Sequence, residues 1–85
     1  MTDLIVAAEV HYDPPLTEET SQQFSGKLHQ CLAVRNQKWL GTFLTPDGRM
    51  SICQFAGTDV DAIREAYETA GIPAHRVFVV QHFKP

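Results

Sequence analysis

The sequence predicts a small α+β domain whose elements follow the order βαββαβ. Four short, largely apolar segments bounded by turn residues read as strands. Two segments between them carry apolar residues at helix-face spacing. Turn residues, chiefly Pro, Gly, Asp and Asn, separate these elements. At 85 residues, 44% of them apolar, the chain reads as one domain over residues 1–85 with enough material for a core.

Leu4 to His11 forms the first strand. It places Leu4, Val6, Ala8 and Val10 on one face and Ile5, Ala7, Glu9 and His11 on the other. Asp13-Pro14-Pro15 ends it, because proline lacks a backbone donor and restricts the residue before it. A helix then begins at Thr17, whose hydroxyl caps it, with Glu18 and Glu19 at its positive end. Phe24, Leu28, Cys31 and Leu32 give this helix its apolar stripe. Gly26 interrupts it at a cost of about 1 kcal/mol relative to alanine, and the sequence offers no packing reason.

After Arg35-Asn36 comes a strand from Gln37 to Leu44. Thr45-Pro46-Asp47-Gly48 turns the chain, and Arg49 to Phe55 returns antiparallel. Thr58 or Asp59 caps a second helix, which buries Ile63, Ala66, Tyr67 and Ala70. Gly71 stops that helix, Pro73 reinforces the stop, and Arg76 to Phe83 is the last strand.

This order is that of a ferredoxin-like sandwich. In it, strands one and three are expected as central, parallel neighbours, with strand four antiparallel on the other side of strand one. Two helices cover only one sheet face, yet Ile5, Ala7, Phe78 and Val80 make the other face apolar as well. A second copy covering that face explains the pattern, so the chain is expected to form a homodimer, a dimeric α+β barrel.

Formal charge is −3, and the seven basic residues, among them Lys27, Arg49 and Lys84, are scattered. They make no stripe that tracks phosphates, which argues against nucleic acid. No run approaches the roughly 20 apolar residues of a membrane helix, and the start Met1-Thr2-Asp3-Leu4 lacks a basic signal-peptide region. Cys31 and Cys53 show no CxxC spacing. A cytoplasmic protein with reduced thiols is expected.

No HExxH or CxxC signature is present, so any site must be assembled by the fold. Glu9 and His11, two apart, project from one strand face as a shared ligand pair requires. The expected topology brings Cys53 and His75 to the same end of the sheet. Glu9, His11, Cys53 and His75 are therefore the candidate metal ligands, and their imidazole and thiolate donors suit nickel, zinc or copper. His82 falls about 20 Å from His75 at ~3.3 Å per residue, too far to join. Glu9 stands out because a carboxylate among apolar neighbours needs a partner. Cys31 reads as core and His29 as a solvated helix flank. Trp39 is large enough to wall a pocket. Asp59, Asp61, Arg64, Glu65 and Glu68 read as a charged outer helix face.

From Trp39 to Arg76 the chain carries Trp39-Leu40-Gly41-Thr42-Phe43, Cys53 two residues before Phe55, Asp59-x-Asp61-Ala62-Ile63-Arg64-Glu65-Ala66, and Ala70-Gly71-Ile72-Pro73-Ala74. In these it resembles the DUF4242-like family of small bacterial proteins, a domain of unknown function with a nickel-binding branch. The resemblance implies a ferredoxin-like dimer and the binding of nickel or another divalent transition metal.

The function expected is that of a small dimeric protein binding such a metal, or a small ligand, without catalysis of its own. The alternative is a dimeric α+β barrel enzyme acting on a small organic molecule between sheet and helices. His11 or His75 would then be acid or base, because imidazoles titrate near neutral pH. An interaction module whose dimer is the functional object is a third reading.

Overall fold

The structure, a computed structural model, describes residues 2–83 and Pro85. Met1 and Lys84, read above in the N-terminal segment and among the scattered cations, lie outside the described residues. The elements are β1 (Thr2–His11), α1 (Glu18–Ala33), β2 (Trp39–Leu44), β3 (Met50–Ala56), α2 (Val60–Ala70) and β4 (Ala74–Phe83). The βαββαβ order is as expected. β2 begins two residues later than expected and β4 two residues earlier.

Local chemistry explains the helix ends. Thr17 caps α1 in a capping box with Thr20, each side chain accepting from the other's backbone N–H. Asp59 caps α2 by accepting from the Ala62 N–H at 3.0 Å. Gly71 ends α2 in the left-handed region at φ 74°, where its missing Cβ removes the steric cost.

The four strands form one sheet in the order β2-β3-β1-β4. β1 and β3 are central neighbours, but they run antiparallel, not parallel: Glu9 pairs with Ile52 and His11 with Met50. The direction follows from connectivity. The α1 crossover returns β2 parallel to β1, and the tight turn at Thr45–Gly48 then reverses β3. His11 therefore sits at the start of β3, not its end. β4 is antiparallel to β1, and the backbone of His82 pairs with Asp3 at the far end, as expected.

Two irregularities interrupt the ladders. Between β1 and β4 the register shifts at Glu9/Val10: Arg76 pairs with Glu9 and Ala74 with Val10, leaving His75 extra. Between β2 and β3 it shifts at Trp39/Gly41, leaving Leu40 extra.

Both helices cover the sheet face carrying Val6, Ala8, Val10, Cys53 and Phe55, which with Leu28, Leu32, Ile63, Ala66 and Tyr67 form the core. Phe55 is fully buried and meets Tyr67 edge-on, ring centroids 6.0 Å apart. Cys31 packs against this core but is only partly buried. The opposite face carries Ile5, Ala7, Glu9, Ile52, Phe78 and Val80, with Phe43 on β2 69% exposed. Among the described residues, no helix is long and apolar enough to cross a membrane.

Candidate metal centre

Glu9 lies on the open face near the end of β1, its side chain 12% exposed. Burying a carboxylate so far demands compensation. Two residues supply it. Nε2 of His11 sits 2.5 Å from one carboxylate oxygen. On the other oxygen, Arg76 donates from Nη2 at 3.1 Å and from Nε at 3.4 Å. The His11 hydrogen bond, and after it the Arg76 guanidinium, hold the Glu9 carboxyl below its ordinary 4.5. Arg76 is itself fixed over the Phe78 ring, 4.6 Å from the centroid.

His75 completes the group because of the bulge. In an unbroken strand His75 would project opposite to Arg76, toward the helices. The extra residue re-aims it. Its ring stacks on His11, centroids 4.4 Å apart and planes 16° from parallel. Glu9, His11 and His75 each then offer one donor atom, all within 4.8 Å of one another. Two imidazoles and a carboxylate are a donor set that divalent nickel, copper or zinc accepts.

Cys53 does not join them. It pairs with Ala8 and faces the helices, 4% exposed, where it accepts from the Thr42 hydroxyl at 3.3 Å. Register is the reason: Cys53 lies opposite Ala8 on the helix face, and Ile52 is the residue that lies opposite Glu9. Arg76, read from sequence only as the start of the last strand, is the partner that Glu9 required. The signal was an apolar strand holding a lone carboxylate.

Trp39 does wall a pocket. The bulge at Leu40 turns it to the helix side, where it lines a chamber of about 240 Å³ between α1 and the sheet. His29 lies at its outer edge, its ring 4.9 Å from that of Trp39. No imidazole among the described residues lines that chamber; His11 borders a separate recess and His75 the open groove between α2 and β4. On the outer face of α2, Arg64 pairs with Asp61 at 3.2 Å, and Glu65 reaches Arg35 beside α1 at 3.7 Å.

Fold and cluster together define a small α+β protein with an exposed His/Glu site at one end of an open sheet face. The chain belongs to the SCO4226-like family, whose model, described as "Nickel responsive protein SCO4226-like", matches residues 8–80. The crystal structure of SCO4226 from Streptomyces coelicolor A3(2) is similar to this chain with a TM-score of 0.75. The match covers 86% of this chain and 90% of that one at 15% sequence identity, a likeness of fold. No curated protein sequence matches the chain.

Proposed function

We propose that this protein is a small homodimeric metal-binding protein that takes nickel, or a chemically similar divalent ion, at Glu9, His11 and His75. The observation that carries the reading is the convergence of those three donor atoms on one open sheet face. The family's nickel-responsive description supports the choice of metal. Ni(II) accepts nitrogen and oxygen donors readily, and three protein ligands leave coordination positions for water or further donors.

Each residue then has a task. His11 and His75 supply neutral nitrogens, so acid releases the metal. Glu9 supplies a charged oxygen, and Arg76 orients the carboxylate by donating to its other oxygen. Bound metal would contribute a divalent charge next to Arg76, a local electrostatic change that a responsive protein can use. The dimer buries the open face and brings the partner's cluster into the same assembly.

Native mass spectrometry of untagged protein, before and after nickel, zinc and copper, tests this. A dimer that retains nickel is expected. His11→Ala should weaken nickel binding by at least about 100-fold, the upper range for losing even an outer partner. A dimer that ignores all three ions, or an unchanged affinity in His11→Ala, would sink the reading.

A further inference from the structure

β3 sets one more side chain beside the metal cluster, on the side of β1 away from His75. Along β3 the buried residues Ser51, Cys53 and Phe55 alternate with Met50, Ile52 and Gln54. Met50 therefore lies on the open face, as His11 does, and the two are direct partners across the β1–β3 ladder. The next pair outward is a bonded one, with the Tyr12 N–H donating to the Arg49 carbonyl at 2.7 Å. Bonded and non-bonded pairs alternate in an antiparallel ladder, so His11 and Met50 form a non-bonded pair. Such pairs bring Cα atoms to about 4.5 Å and hold their side chains closest of all.

A thioether brings different chemistry to this cluster. It is uncharged and polarisable, and it ends an unbranched, flexible side chain that adjusts to what it meets. Thioethers favour monovalent copper, imidazoles accept copper as well, and carboxylates suit harder ions. Glu9 is already engaged, by His11 at one oxygen and Arg76 at the other. An ionised carboxylate only accepts, so this contact puts the proton of a neutral His11 ring on Nε2 and its lone pair on Nδ1. A soft cation can then take the imidazoles and the thioether while Glu9 keeps both partners and orients the His11 ring.

We propose that the cluster also binds monovalent copper, with Met50 as a ligand through Sδ beside the imidazoles of His11 and His75. The proposal rests on the same convergence of His11 and His75 that carries the nickel reading, but on a different third donor. A divalent ion takes Glu9, and Cu(I) takes Met50. The class of ion is thereby selected by β3, from which the divalent set draws nothing.

The test compares Cu(I) and Ni(II) affinities of the 85-residue chain and its Met50→Leu variant. Each is read by competition with a coloured chelator, the copper series under ascorbate without oxygen. Both chains carry Cys31→Ala, because that half-buried thiol is a competing soft donor. Leucine conserves the volume of methionine, so the fold should survive. Met50→Leu is expected to lower Cu(I) affinity at least about tenfold, the lower range for losing even an outer partner, and nickel affinity far less. A further readout leaves Met50 in place: with isotope-labelled methionine methyl groups, Cu(I) should move the Met50 resonance and Zn(II) should barely move it. Nickel retained with equal Cu(I) affinity in both chains overturns the Met50 assignment alone. Cu(I) bound through Met50 with nickel ignored supports the assignment and removes the nickel reading. A chain that takes neither ion, or a Met50 methyl that Zn(II) moves as far as Cu(I) does, overturns the proposal.

Discussion

Glu9 shows how much a single side chain organises here. One of its oxygens meets His11 and the other meets Arg76. Arg76 reaches Glu9 without belonging to the set of donor atoms. As an outer partner that fixes the carboxylate, its removal in Arg76→Ala should weaken nickel binding about tenfold, read by calorimetry. Tighter binding would mean instead that the guanidinium competes with the metal. Tyr67 presents the reverse case, a buried hydroxyl with no partner among the described residues. Tyr67→Phe should hold or raise stability by about 1 kcal/mol in urea denaturation, because it removes a buried donor with no partner among the described residues. Phe55→Ala should cost about 3–5 kcal/mol, a large share of a small domain's stability. Residue identity alone exposed Glu9, since a carboxylate in an apolar strand must have a partner. It could not expose the Tyr67 hydroxyl, because Tyr67 sits in a helix stripe that reads as ordinary core.

The helices were legible as elements because capping chemistry and apolar spacing are local properties. Thr17, Asp59, Gly71 and the stripe through Ile63, Ala66, Tyr67 and Ala70 all lie where the pattern places them. Gly26 stays without a packing role: a Cβ there meets nothing within 4 Å. Gly26→Ala should therefore stabilise α1 by up to about 1 kcal/mol, measured as a rise in melting temperature. Gly48 is the opposite: at φ 73° its added Cβ would lie 2.9 Å from the Leu16 carbonyl oxygen, so alanine there should destabilise the turn. The same turn holds Asp47, whose carboxyl accepts from the Thr45 hydroxyl at 2.7 Å and the Arg49 N–H at 3.1 Å. The Thr45 bond first, then the Arg49 N–H, lower its pKa from 3.8. Its stabilisation is thus fully present above the ordinary value and is lost as pH falls through 3.8 toward the lowered one. The stability gap between wild type and Asp47→Asn should close over that acid range. The strands were harder, because alternation fixes which residues share a face only while the strand is unbroken. Leu40 and His75 each break it, and Trp39 and His75 owe their facing to those breaks.

At the scale of the molecule, the strand order depended on connectivity and was readable; the relative direction of β1 and β3 was not read correctly. The register of β3, which alternation alone does not fix, puts Cys53 opposite Ala8 and so on the other face from Glu9. The open face is where assembly is expected. Phe43, 69% exposed beside Ile52, contributes little to the subunit's own core. Phe43→Lys should leave the fold intact and shift the proposed dimer toward monomer, visible as a lower sedimentation coefficient at equal concentration. A monomeric wild type would remove the basis for that expectation.

The extra residue in β4 sets sheet continuity and ligand supply in opposition. With His75 deleted, Ala74 would adjoin Arg76, and Val10 and Glu9 would pair with them in an unbroken ladder. Such a chain, one residue shorter, should be sturdier yet left with a single imidazole beside Glu9. For the proposed site, the length of the segment between the helix-ending Gly71 and Arg76 therefore counts as much as the histidines themselves, since one residue fewer removes a donor from the cluster.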